Sequence, residues 1–334
     1  FFSVARASLE AMGEKDFSKH LMLVKERGMN IFMLKKDRFT QEEVSRIKTI
    51  CGEKNFNLDF YPGLEGDGDI FDFIKEKNVG RFYHKYPLDI APSTDDRPFF
   101  STFLKPKDFW LGNWPKEKRD FPLRVVFTLR KFLFVFLLIN ILLISMFIFK
   151  RKNIAVPLYF SFLGIAYMLV EITLIRKFIY FLGHPVYAVS VILFSLLLFN
   201  AIGSLTSKKA GVFFKKRIII FFLLFILVPL YGYPLDKFFV EFMPLCAAVK
   251  IILTMILLFP LGYLMGIPFP MGISLLPEKE SKNISYVWAI NGASSVFGSL
   301  LALVLSMSLG YNLTFLFAGT IYILAGFFAG KIKI

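Results

Sequence analysis

Between residues 132 and 330 the chain is a succession of apolar stretches, and this constrains its fold more than any other feature. A helix needs about 17–25 consecutive apolar residues to cross a bilayer. Seven stretches meet that length, roughly 132–149, 156–175, 186–206, 218–235, 246–266, 285–308 and 312–330. Residues 1–115 instead carry charges every few positions and read as an ordinary soluble sequence. The predicted organisation is a soluble part over 1–115, a basic interfacial linker over 116–131 and a helical membrane domain over 132–334. Trp110 and Trp114, with Lys107 and Lys116, precede the first span and suit an interfacial anchor.

The net charge of +15 would suggest nucleic acid in a soluble protein. Here many of the cations flank apolar stretches, among them Arg130, Lys131, Arg151, Lys208, Lys209 and Arg217. Such juxtamembrane charge is attracted to anionic lipid headgroups, so the expected partner is the bilayer rather than nucleic acid. The cations divide almost evenly between the two sides, so the charge rule does not set the orientation. The first residue is Phe1 rather than Met, and no signal peptide is evident; the chain reads as a fragment or a processed product. Cys51 and Cys246 lie in different parts and are expected to be ordinary buried thiols, neither disulfide-bonded nor metal-bound.

In the soluble part, His20 to Lys25 and Met29 to Lys35 are short apolar runs split by Arg27-Gly28, which predicts two strands and a turn. Thr40 followed by Glu43 predicts a capping box at a helix start, with Val44, Ile47 and Cys51 on the apolar stripe. Asn57 to Tyr61 is another strand candidate, and a short helix begins at Asp69. The loop Gly63 to Asp69 carries several acidic residues and follows a strand ending in proline. It reads as an exposed loop or a weak divalent-ion site rather than a phosphate cradle. This strand–helix–strand material predicts the outer portion of an α/β sheet. The segment Tyr86 to Pro106 contains Asp95, Asp96, Arg97 and Pro98, with Ser93 or Thr94 placed to cap a turn. Its readings are a structural clasp, with a local carboxylate–guanidinium pair, or an acidic pair that binds a cationic amine.

Three features inside the membrane part carry possible chemistry. Glu171 sits mid-span, with Tyr167 one turn before it and Arg176-Lys177 at the span's end. A charge at that depth costs about 2.5–3.5 kcal/mol on insertion scales. Glu171 therefore reads either as a structural hydrogen-bonding group or as a proton or cation relay. Phe259 to Gly272 holds three prolines and three glycines. It predicts either a broken helix at a transport site or a proline-kinked packing element. In the stretch from Trp288, Asn291, Ser295, Gly298 and Ala302 share one helical face. Close helix packing is expected there, with substrate lining by Asn291 as the alternative. His184 reads as a turn residue, and Asn140 and Asn200 are further polar groups within spans.

Several of these motifs together resemble a known family. They are Glu171 in the second span, LGHPVYAVSVILFSLLLFNAIGS in the third, the FPMG break and YVWAINGASSVFGSLLA, with HLMLVK, IFMLKKDRFTQEE, FNLDFYPG and YPLDIAPSTDDRPFF in the soluble part. This chain resembles the spermidine synthase-like integral membrane proteins of bacteria. The resemblance implies that residues 1–115 are the C-terminal end of a Rossmann-type methyltransferase-like domain, followed by an all-α polytopic membrane bundle of about seven spans. It further implies polyamines as ligands, decarboxylated S-adenosylmethionine as the co-substrate of the whole protein, a bacterial inner membrane location and a cytoplasmic soluble part. It assigns no catalytic or cofactor-binding residue here, because the family's glycine-rich loop and catalytic aspartate have no counterpart in this sequence. Two functions stand open: a membrane-anchored aminopropyltransferase-like enzyme, or a transporter or channel-like protein for polyamines or other small cations. The candidate substrate and ion residues are Glu171, Asn291, Asp95 and Asp96.

Overall fold

The computed structural model describes residues 1–14, 16–27, 29–76, 78–99, 104–111, 121–151, 154–213, 218–276 and 284–332. The chain divides into two compact units, Phe1–Asp108 with Asn113–Lys118, and Phe109–Gly112 with Arg119–Ile334.

The first unit opens with helix α1 (Phe2–Ala11), followed by strands β1 (Leu21–Glu26) and β2 (Met29–Leu34). They form a hairpin with Glu26 opposite Met29, which leaves a two-residue turn. Arg27 there adopts φ +43°, the left-handed region a tight hairpin turn demands; Gly28 lies outside the described residues. Helix α2 (Gln41–Lys54) starts at the expected capping box, with Thr40 accepting from the Glu43 amide and the Glu43 side chain accepting from the Thr40 amide. Strand β3 (Asn57–Phe60) and helices α3 (Asp69–Lys75) and α4 (Val79–Lys85) follow. The sheet order is β2-β1-β3, antiparallel at both pairings. Rossmann-type sheets are built on parallel strands, so this three-stranded sheet does not by itself identify one.

Strand β1 is central and buried on both faces: Leu21, Met22, Leu23 and Val24 are all inaccessible. Leu21 and Leu23 pack with Ala5, Leu9, Phe17, Phe60 and Phe73 into the core of this unit. The sequence reading passed over α1. Ala5 and Leu9 are a single i, i+4 pair, too short a signal to announce a helix. Arg6 is also buried there, because its guanidinium donates to the Phe73 and Glu76 carbonyls at the end of α3 (2.6 and 2.7 Å).

Helix α5 (Pro106–Leu111) lies at the sequence boundary between the units. The second unit comprises α6 (Phe121–Arg151), α7 (Ala155–Leu182), α8 (Pro185–Phe213), α9 (Ile218–Leu230), α10 (Tyr233–Phe242), α11 (Ala247–Gly266), α12 (Pro268–Ser274), α13 (Ile284–Leu309) and α14 (Tyr311–Ala329). Six helices are long and apolar enough to cross a membrane, and α9 with α10 makes a seventh if the bent pair is one span. The chain is a multi-pass membrane protein on the length and composition of these helices. More of α7 is buried than of any other span, because α13 and α14 pack along it and α8 flanks it.

One expectation about breaks is corrected, and another is met in part. The stretch 218–235 is not one straight span: α9 and α10 meet at a 50° bend. Pro229 lies inside α9, Gly232 caps α10 and Pro234 sits in its first turn. The two prolines lack the amide donors that a continuous helix would need there. Within 259–272 the helix is interrupted, as one reading expected, but only briefly. Pro260 lies inside α11, and α12 resumes after a single interruption at Ile267. The Tyr159 hydroxyl of α7 donates to the Pro268 carbonyl at 2.5 Å there. A Cβ on Gly272 would collide with the Tyr159 ring, so the glycine permits close approach of α12 to α7.

A second correction concerns Cys246. It is exposed at the N-cap of α11, whereas Cys51 is buried as expected.

Candidate functional site

Helix α7 carries the charged residue that the sequence marks. At about 1.5 Å rise per residue, Glu171 lies roughly 16 Å from the nearer end of this 28-residue helix. Tyr167 is one turn earlier on the same face, within hydrogen-bonding reach of the Glu171 carboxylate. From α8, Asn200 Nδ2 donates to the Tyr167 hydroxyl at 2.9 Å. From α14, Tyr322 lies close enough to interact electrostatically with both Tyr167 and Glu171. The cluster therefore gathers one carboxylate, one amide and two phenols from three helices.

Two atoms of this cluster are unsatisfied. The Tyr322 hydroxyl and Asn200 Oδ1 are buried without a hydrogen-bond partner. Buried polar groups are nearly always paired, and each exception calls for an explanation such as a water or an ion. Small residues bring the helices this close. Cβ atoms on Gly203 of α8 and Gly266 of α11 would meet the backbone of Tyr263 and Asn200 respectively. Such glycine contacts fix where Asn200 sits.

A second polar node lies nearer the end of α7. Lys177 is buried and pairs with Asp236 of α10 at 2.8 Å, and its ammonium lies 3.5 Å from Asn312 Oδ1 of α14. This pair ties the bent α10 to the central helix.

Asn140 and Asn291 make hydrogen bonds between helices. The Ser294 hydroxyl donates to Asn140 Oδ1 at 2.5 Å and lies 2.8 Å from the Ser161 hydroxyl, while Asn140 Nδ2 donates to the Ala293 carbonyl at 3.1 Å. These bonds link α6, α7 and α13. Asn291 Nδ2 donates across to the Phe160 carbonyl at 3.0 Å. Gly164 of α7 and Gly298 of α13 let the two backbones touch. His184 accepts from the Val186 amide and serves the start of α8, after Gly183 ends α7 at φ +76°.

In the first unit, Asp95 and Asp96 occupy the tip of a turn closed by Arg97 donating its amide to the Thr94 carbonyl at 2.9 Å. The guanidinium of Arg97 pairs with Asp89, eight residues back, rather than being confined to its sequence neighbours. The reason is turn geometry: a four-residue turn points Asp95 outward and leaves Arg97 directed at the preceding segment. A cavity of about 210 Å³ opens beside this pair, lined by Asp69, Asp89 and Arg97 with Phe2, Phe82 and Tyr86. Neither Asp95 nor Asp96 lines it. The Tyr86 hydroxyl donates to Asp69 at 2.7 Å. Burial, then this bond to a carboxylate, pushes the phenol up to about 12.

The loop from Gly63 to Asp69 is largely exposed, and among the described residues no three His, Cys, Asp or Glu side chains gather as metal ligands. Trp114 lies outside the described residues, and Trp110 is exposed near the start of the membrane unit.

Sequence reasoning found Glu171 and Tyr167 but missed Tyr322 and the partner of Asn200. A tyrosine within a span is unremarkable in a chain with 13 tyrosines and 42 phenylalanines. Comparison of the chain with protein-family models, curated proteins and solved structures finds no match.

Proposed function

We propose that the membrane bundle binds and moves a small cation, with Glu171 at its charged centre. The observation that carries this reading is a half-buried carboxylate within a span, in a cluster with two unpartnered buried oxygens. Ionisable groups within spans mark ion or proton pathways, since they are otherwise too costly to keep. Of the other polar nodes, the Asn140–Ser294 network is paired internally and the Lys177–Asp236 pair is neutralised. The test is uptake of radiolabelled sodium and putrescine into proteoliposomes. Uptake above that of empty vesicles, abolished by Glu171→Gln in protein that still inserts and stays monodisperse, supports the reading. Undiminished uptake in Glu171→Gln, or none in the parent protein, overturns it.

A second reading is favoured by the cavity in the first unit. Asp69 and Asp89 beside aromatic walls suit an alkylammonium ligand. On this reading the chain belongs to a membrane-anchored aminopropyltransferase-like enzyme of the bacterial inner membrane. Its first unit would be the cytoplasmic end of a Rossmann-type domain. The described residues form no glycine-rich nucleoside cradle, so no step is assigned to decarboxylated S-adenosylmethionine. Product formation from putrescine and that co-substrate would support this reading; its failure with a folded protein would remove it.

A further inference from the structure

Resting on the cation-handling reading, the cluster at the centre of the bundle also indicates which cation it takes. Its oxygens come from a carboxylate (Glu171), an amide (Asn200) and two phenols (Tyr167 and Tyr322). Tyr322 is 1% exposed and its hydroxyl has no partner, and Asn200 commits its Nδ2 to Tyr167 while its Oδ1 faces none. Asn200 is hydrogen-bonded to Tyr167, and Tyr322 lies within electrostatic range of Tyr167 and Glu171. We infer that a monovalent alkali cation such as sodium binds between them, held by the Glu171 carboxylate, Asn200 Oδ1 and the phenol oxygens.

Three physical arguments select this ligand. Oxygen donors from carboxylate, amide and hydroxyl groups suit hard cations and not soft ones. One carboxylate balances one positive charge, whereas a divalent ion would leave a net charge in a low-dielectric interior, which is costly. The Glu171 carboxylate and Asn200 Oδ1 offer only lone pairs, which a bare cation takes up directly. A metal cation draws lone pairs from all the oxygens together.

The experiment uses the full chain in detergent or nanodiscs at fixed pH and ionic strength, exchanging N-methylglucamine for sodium. Sodium should raise the melting temperature in proportion to the logarithm of its concentration above its dissociation constant, by about 3–6 °C at ten times that constant. Tyr322→Phe keeps the ring and its packing while removing one ligand oxygen; it should weaken the apparent affinity several-fold. Glu171→Gln should abolish the shift. The inference is overturned if stability is the same in sodium and N-methylglucamine, which would mean that the cluster holds water or a proton. It is equally overturned if Tyr322→Phe and Glu171→Gln both respond to sodium as the parent does. Cation flux in proteoliposomes without a sodium-dependent shift would sink this inference and spare the broader reading. A sodium shift lost in both variants, without flux, would support the site and sink transport.

Discussion

The Lys177–Asp236 pair yields a quantitative test of how the bundle is held. At 2.8 Å, and with an effective dielectric of about 20, two unit charges attract by roughly 6 kcal/mol before desolvation. Desolvation offsets much of this, and losing one partner of a buried pair typically costs about 3–5 kcal/mol. The two partners are buried unequally: the Lys177 side chain is 3% exposed and that of Asp236 is 29% exposed. Asp236→Asn strands an ammonium that water cannot reach and should cost about 3–4 kcal/mol. Lys177→Met strands a carboxylate that can partly rehydrate and should cost about 1–3 kcal/mol. The double variant should be less destabilised than the sum by about 2 kcal/mol. The assay is thermal unfolding of the detergent-solubilised protein, where ~1 kcal/mol corresponds to roughly 2–4 °C. Additivity of the two single effects within about 0.5 kcal/mol would refute the coupling. A larger loss in Lys177→Met than in Asp236→Asn would refute the argument from unequal burial.

Other expectations follow from individual contacts. Gly266→Val should destabilise the bundle by about 1–3 kcal/mol through overpacking, because an added Cβ meets Asn200 Cα at 2.7 Å; thermal unfolding reads the loss, and Ser at this position should be milder. Arg6→Met should cost about 2–4 kcal/mol by removing charge-assisted bonds to two buried carbonyls, visible as faster hydrogen exchange across α1 and α3. Thr40→Ala should cost about 1 kcal/mol by removing the cap of α2, with fraying of its first turn as the local readout. Tyr86 has its folded value raised to about 12, so its contribution to stability is complete below about pH 10 and is lost as pH rises through 12. Tyr86→Phe should flatten that alkaline loss in the first unit, and an unchanged profile would contradict it.

Much of the architecture was legible in the sequence because a bilayer leaves few choices. Apolar stretches of span length must pair their own backbone groups, so composition and length announce helices without knowledge of their neighbours. The capping box at Thr40 and the hairpin around Arg27 are likewise local chemistry, readable within a few residues. Glu171 was conspicuous for the same reason, as a charge among apolar neighbours. What surrounds Glu171 was not legible. Asn200 and Tyr322 lie 29 and 151 positions away, and which helix faces meet depends on glycine contacts such as Gly266 against Asn200. Proline and glycine content marked 259–272 as the break, yet the sharp bend formed at 229–234. Tyr159 and its neighbours on α7 seal the first stretch, and no local rule announces that support. Arg97 likewise pairs with Asp89, eight residues back, which its neighbours in sequence do not announce. Local sequence determined that the protein spans a membrane and carries a charge inside it. Tertiary packing decided which oxygens that charge keeps company with, because the side chains that share a site come from helices far apart in the chain.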